Sequence, residues 1–251
     1  MERFRTIELE STKSTNTYAK KLPIESDNST PVIVTTDNQT GGRGQRGNSW
    51  ESEPGANLTF SLVLYPRWMA PARQFELSML VSIGIIYALR PYTDTPQWLK
   101  IKWPNDIYFG DRKLAGILIE NSLGKSCIER SIIGIGLNVN QKEFHSDAPN
   151  PVSLCEITGA DVDRRELLDK VTESILDMVE SYESDPEPDE LSFLYNNLLW
   201  RNDEGFHKWE RPDGTVFEAM LSGVDTDGRL RLRDTDGKTH TFLFKEVAAV
   251  L

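Results

Sequence analysis

The chemistry-bearing stretch of this chain is residues 39 to 61, QTGGRGQRGNSWESEPGANLTFS, where two arginines stand among glycines. Apolar, β-branched runs flank it, Val32 to Thr36 before and Leu58 to Leu64 after, so the spacing predicts two strands joined by a long Gly-rich loop. Gly42, Gly44 and Gly47 fit G-x-G-x-x-G. A dinucleotide fold is excluded by context, because its last glycine must open a helix. Here Pro54 and Gly55 follow, with no helical apolar period. What remains is Arg43 and Arg46 on a backbone that lets a ligand come close. Guanidinium forks of this kind suit phosphate or carboxylate oxygens.

Three further clusters could work with that loop. They are Lys102-Trp103-Pro104-Asn105-Asp106, Lys113-Leu114-Ala115-Gly116-Ile117-Leu118-Ile119-Glu120, and Gly134-Ile135-Gly136-Leu137-Asn138-Val139-Asn140. Each also has an ordinary structural reading. Pro-Asn-Asp at a strand end is commonly a turn, and a lone carboxylate such as Asp106 more often caps or pairs than catalyses. The hydroxyls of Ser11 to Thr15 are read first as caps for a short helix, Asn16 to Leu22.

The elements that must position these residues follow from periodicity. Phe4 to Glu10 alternates as a half-buried strand. Ala72 to Leu89 is apolar around nearly its whole circumference, as in a helix buried against a sheet. Trp98 to Trp103 alternates with a basic face. Ile107 to Phe109 and Lys113 to Glu120 form a hairpin about Gly110-Asp111, and Ser126 to Asn140 is a further apolar strand. Residues 141 to 152 read as a loop. Arg164 to Tyr182 and Glu187 to Trp200 carry helical spacing. From Phe206 the chain turns to short strands separated by Asp213-Gly214, Asp227-Gly228 and Asp236-Gly237, which predicts a small five-strand barrel. The expected fold class is therefore α+β, a mixed sheet packed with helices, with domains at 1–203 and 204–251.

Composition narrows the function classes. The 251 residues carry a net charge of −11, which argues against general nucleic-acid binding. Residues 156 to 190 hold 13 Asp/Glu against 3 Lys/Arg, so the acidity is concentrated away from the basic loop. No apolar run approaches the length that spans a bilayer, and the N-terminus lacks the apolar core of a signal peptide. Cys127 and Cys155 form neither a disulfide framework nor a zinc spacing. Both read as small core residues of a cytoplasmic protein.

Taken together and in this order, the four clusters resemble the biotin protein ligases over residues 5 to about 250. The resemblance implies a class II aminoacyl-tRNA synthetase-like catalytic domain followed by an SH3-like barrel. It implies an ATP-dependent, AMP-forming reaction that makes biotinyl-5′-AMP from biotin and ATP with Mg2+. Biotin then passes to a lysine of a biotin carboxyl carrier domain. By the same resemblance, Ser14, Thr15, Gln39, Gly42, Arg43, Lys113 and Gly116 hold biotin, and Arg46, Trp50, Lys102, Asn105, Asp106 and Asn138 hold the nucleotide. Lys113 has the central catalytic role, with Arg43, Lys102 and Asp106. Joining two anions, a carboxylate and the α-phosphate, requires concentrated positive charge, which these cations supply. No metal ligand is assigned directly, though Asp106 suits a magnesium-bound phosphate. Trp50 matches an aromatic that covers the site as the loop closes.

Two departures bear on function. The family often has Gly-Arg-Gly-Arg-x-Gly, and Gln45 stands at its second arginine, which predicts looser retention of the adenylate. Only about ten residues precede the Ser/Thr cluster, where bifunctional members carry a DNA-binding helix-turn-helix, so a monofunctional ligase is expected. A homodimer through exposed sheet edges is compatible with the resemblance. The related lipoate ligases share the fold, and a non-catalytic sensor of biotin or its adenylate is the alternative from another class.

Overall fold

A computed structural model describes residues 3–24, 30–45, 49–145 and 150–251. The chain runs through β1 (Arg5–Thr12), α1 (Thr15–Ala19), β2 (Val32–Gln39), β3 (Leu58–Leu64) and α2 (Gln74–Leu89). It continues through β4 (Leu99–Lys102), β5 (Asp106–Phe109), β6 (Arg112–Leu123), β7 (Ile128–Leu137), α3 (Leu154–Thr158), α4 (Arg164–Ser184) and α5 (Pro188–Asn197). The last strands are β8 (Phe206–Glu210), β9 (Val216–Val224), β10 (Leu230–Asp234), β11 (Thr239–Phe242) and β12 (Ala248–Ala249). Seven strands make one sheet, β1-β2-β3-β7-β6-β5-β4. β1 and β2 pair in parallel across α1, and every other pair is antiparallel.

The two faces of this sheet are sorted by alternation. Ile33, Phe60, Leu62, Ile133 and Ile135 enter the main core with α2, which is buried on nearly every side by the sheet, α4 and α5. Val32, Val34, Val63 and Ile132 point the other way, onto Ala19 of α1. On that second face the register sets Ser61 beside Gly134 and Gly116 beside Gly136. Gly134 and Gly136, two consecutive positions of β7 on this face, clear a floor that larger residues would fill. That floor is where the cavity lies.

The helical stretch Pro71–Tyr92 has the length and apolarity to cross a bilayer, although the uninterrupted apolar runs fall short of it. It is the core helix, and 67% of its apolar window is buried. α3 lies where no element was expected, held by a capping box between Ser153 and Glu156 and ended by Gly159 at φ 75°. α5 stops three residues short of the expected Trp200. The chain after it is drawn onto β4, with Ile101 N donating to Leu198 O (2.8 Å) and Trp200 N to Ile101 O (2.8 Å). Cys155 is buried as read, but Cys127 is only half-buried.

The five C-terminal strands form a second antiparallel sheet in the order β11-β10-β9-β8-β12. The expected strands and turns are present, as a small antiparallel SH3-like sheet with β11 and β12 at the two ends of its order. The sheet is anchored to the first. Trp103 Nε1 donates to Gly228 O (2.9 Å), and Asn196 bonds Val224 at both its amide atoms. Its Trp209, Leu221 and Leu230 belong to the main core cluster.

Candidate active site

Between α1, the glycine floor, the β4–β5 turn and the C-terminal sheet lies a cavity of about 380 Å3, a size suited to a small molecule. Ser14, Thr15, Gln39, Arg43, Trp50, Lys102, Asn105, Asp106, Lys113 and Gly116 all line it, so one space gathers residues spread over a hundred positions. Arg46 lies outside the described residues. Gly42 stands just behind the wall, where an added Cβ would strike the Trp50 carbonyl and the Gln39 amide. Asn138 is not part of the lining. It is buried, and its Nδ2 donates to Val152 O (3.1 Å) and Lys113 O (3.4 Å), so it steadies the strand that carries Lys113.

One end of the cavity is cationic. Lys102 and Lys113 stand there with Asp106, the single lining carboxylate among the described residues, and Arg43 and Lys245 are further cations of the cavity lining. Such an excess in a chain of net charge −11 favours anions. Lys113 Nζ sits 2.8 Å from Asp106 Oδ1, both side chains about four-fifths buried, and 5.7 Å from the Trp50 ring centroid. Lys102 Nζ donates to Tyr108 OH (2.9 Å) and faces the rings of Tyr108 and Trp200. Burial lowers the Lys102 ammonium below the usual lysine range. The charge of Asp106 opposes that shift, while Lys113 and Arg201 add to it. Asn105 ties the turn to β6, donating through Nδ2 to Ile117 O (2.7 Å).

The other end is hydroxyl- and amide-lined. Ser14 caps α1, accepting from Thr17 N at 3.5 Å, and Gln39 Oε1 accepts from Thr15 N at 3.0 Å. Of the hydroxyls read as caps, Ser14 is the cap of a helix that runs Thr15–Ala19 rather than Asn16 to Leu22, while Ser11 and Thr12 belong to β1; Ser14, Thr15 and Gln39 line the cavity as well. Arg43 Nη2 donates to Thr17 Oγ1 (3.2 Å) and stands 3.8 Å from Glu120 Oε2. Burial pushes the Glu120 carboxyl up. Hydrogen bonds from Lys20 and Asn16, with the charges of Lys20 and Arg43, outweigh it and hold the group below the ordinary carboxylate range.

Trp50 lies on the glycine floor. A Cβ on Gly116 would come within 3.0 Å of its ring, and one on Gly136 would overlap it. Its indole Nε1 is buried with no hydrogen-bond partner among the described residues. The lining also includes Asn16, Trp200, Trp209 and Phe244, which sequence reasoning did not single out. Asn16 was legible only as a helix residue. The aromatics arrive from elements whose docking no local pattern records.

Comparison with known proteins agrees with this geometry. The model of the Biotin/lipoate A/B protein ligase family matches residues 8–138. The chain is 32% identical over 218 residues to the bifunctional ligase/repressor BirA of Escherichia coli (strain K12), covering 84% of this chain and 64% of that protein. It is 35% identical over 162 residues to the biotin–[acetyl-CoA-carboxylase] ligase of Paracoccus denitrificans, covering 63% and 66%. The first curated relatives are thus matched over less than two thirds of their length. Among solved structures, the biotin protein ligase from Aquifex aeolicus in complex with biotin and ATP superposes with a TM-score of 0.79 at 27% identity, over 97% of both chains.

Proposed function

The chain belongs to the Biotin/lipoate A/B protein ligase family, and on that premise we propose that it is a biotin protein ligase. It would join biotin and ATP to biotinyl-5′-AMP with release of pyrophosphate, then pass biotin to a lysine of a biotin carboxyl carrier domain. The observation that carries this reading is the polarity of one cavity, cationic at Lys102 and Lys113 and hydroxyl- and amide-lined at Ser14, Thr15 and Gln39.

Each end matches one part of the reaction. A cyclic urea offers both donors and acceptors, as the Ser14, Thr15 and Gln39 set requires. The carboxylate of the same acid reaches the cations, where its repulsion from the α-phosphate is offset. We place Lys113 at the carboxylate and the bridging phosphoryl oxygens, with Arg43 beside it. Lys102, Asn105, Asp106 and Arg46 serve the nucleotide, with Trp50 over it. Lys113 must exchange Asp106 for the anionic substrates. Asp106, the one lining carboxylate among the described residues, would hold an Mg2+ brought with the ATP phosphates, which would offset their charge. The second step needs no enzyme nucleophile, because the mixed anhydride is already activated: the carrier amine attacks the carbonyl and AMP leaves.

ATP–pyrophosphate exchange on the purified protein, with biotin or lipoate as the acid, tests this. Exchange that requires biotin and disappears in Lys113→Ala is the expected result. Exchange with lipoate alone would overturn the substrate, and exchange with neither would overturn adenylation.

A further inference from the structure

Beneath the hydroxyl end of the cavity runs a chain of buried hydrogen bonds that the roles above do not use. Asn16 is 3% exposed. Its Nδ2 donates to Leu118 O (3.2 Å) and to Glu120 Oε2 (3.0 Å). A carbonyl and an ionised carboxylate can only accept, so the amide cannot be turned over, and Oδ1 faces Ser61. Ser61 Oγ, fully buried in β3, lies 2.6 Å from Asn16 Oδ1 and 2.8 Å from Thr15 Oγ1.

Serine has a single proton. Asn16 Oδ1 can only accept, so that proton goes to Asn16, and the contact between the two hydroxyls is made with the threonine's proton. Among the described residues Thr15 Oγ1 has one other internal acceptor, Gln39 Oε1 at 3.4 Å. Whichever oxygen takes it, the threonine proton stays inside the protein. Thr15 therefore shows the cavity lone pairs only. Ser14 is the complement: its oxygen accepts the capping N–H of Thr17, which leaves its own proton to donate.

We propose that Glu120, Asn16 and Ser61 are positioning residues that set the Thr15 hydroxyl as an obligate acceptor and thereby select an acid whose head group presents a ring N–H. This rests on the biotin ligase reading and deepens it. A cyclic urea supplies that N–H, whereas a dithiolane supplies no donor and would leave Thr15 unsatisfied in a buried place. The glycine at 134 belongs to the same device, since a Cβ there would collide with the Asn16 amide.

The test compares biotin with the two cyclic carbamates in which one or the other ring N–H is replaced by oxygen. Binding to the full-length protein is measured by calorimetry. In the wild type, the carbamate that sets oxygen against Thr15 should bind on the order of 10- to 100-fold more weakly than biotin, as expected for a buried acceptor left unpaired. Asn16→Ala frees the Ser61 proton to point at Thr15, which leaves the threonine proton either the long contact to Gln39 Oε1 (3.4 Å) or the cavity. Ser61→Ala removes the nearer of its two internal acceptors and leaves the same choice. In both variants biotin should weaken and its advantage over the carbamate should shrink to about threefold. General damage would weaken both ligands alike and leave the ratio intact. An unchanged ratio in both variants, or a wild type that binds both carbamates as tightly as biotin, would overturn the relay while leaving the ligase reading standing. A wild type with no affinity for biotin would overturn the ligase reading, and the relay would fall with it.

Discussion

At the scale of single residues, the type of a side chain was legible in the sequence and its direction was not. Lys102 and Lys113 declared themselves within Lys-Trp-Pro-Asn-Asp and Lys-Leu-Ala-Gly, and both line the cavity. Asn138 sat in an equally suggestive run, yet its amide serves backbone carbonyls, because burial obliges a polar group to find a partner first. Lys102 shows what a buried cation costs. Its folded-state value lies below that of the unfolded chain, so between the two values the unfolded chain holds the extra proton. The penalty is full below the folded value and fades as pH rises toward 10.5. Lys102→Met should therefore melt higher than the wild type at pH 7. The gain should narrow near pH 10, and pyrophosphate exchange should be lost. Melting curves at both pH values check the sign; a variant that melts lower at pH 7 would show that the Tyr108 hydrogen bond outweighs the buried charge. Gln45, also in the lining, leads to a second expectation. Gln45→Arg should slow release of biotinyl-5′-AMP by roughly threefold, the effect of one partly exposed added charge contact. Equal release rates, followed with radiolabelled adenylate, would remove any role for that position.

At the scale of elements, periodicity located most of the strands and helices because one buried face imposes alternation. β3 is buried at all seven positions and was read at its observed bounds. α3 escaped, being five residues with too few apolar positions to show a period, although Ser153 and Glu156 were a readable capping pair. The closeness of α2 to α4 was also hidden. Gly84 marks where they touch: a Cβ there would stand 2.9 Å from Ile175 Cα and 3.1 Å from Ile175 N, and Ser174 Oγ donates to Gly84 O at 2.8 Å. Backbone atoms cannot swing aside as a side chain can. Gly84→Ala should gain about 1 kcal/mol of helix propensity and lose about 1–3 kcal/mol to overpacking. The net expectation is a loss of about 1 kcal/mol. Urea unfolding measures it, and a midpoint at or above the wild-type value would mean that the helices can move apart without penalty.

At the scale of the whole molecule, the Asp-Gly punctuation revealed five strands but not their use. The second sheet supplies Trp209, Leu221, Leu230 and Phe244 to the cavity, so it is a wall of the site. Its seat includes polar contacts from Asn196, Trp103 and Arg201, the last donating to Val250 O (2.6 Å) and Lys208 O (3.3 Å). Asn196 Oδ1 accepts from Val224 N (2.7 Å) and its Nδ2 donates to Val224 O (3.2 Å), while Trp103 Nε1 holds Gly228 O. Val224 is 1% exposed, so Asn196→Ala strands two backbone groups away from water, at about 1–3 kcal/mol for each group left unpaired. The seven-stranded sheet keeps its own ladders and the α2 core, so the loss should be local. Amides of residues 206–249 should exchange faster while those of β3, β6 and β7 keep their protection, because the sub-global opening that frees the wall does not require the first sheet to part. Exchange that accelerates equally in both sheets would show that they open as one unit. With the wall loosened, the KM for ATP should rise more than the KM for biotin, since the hydroxyl end of the cavity is built wholly from α1 and the first sheet.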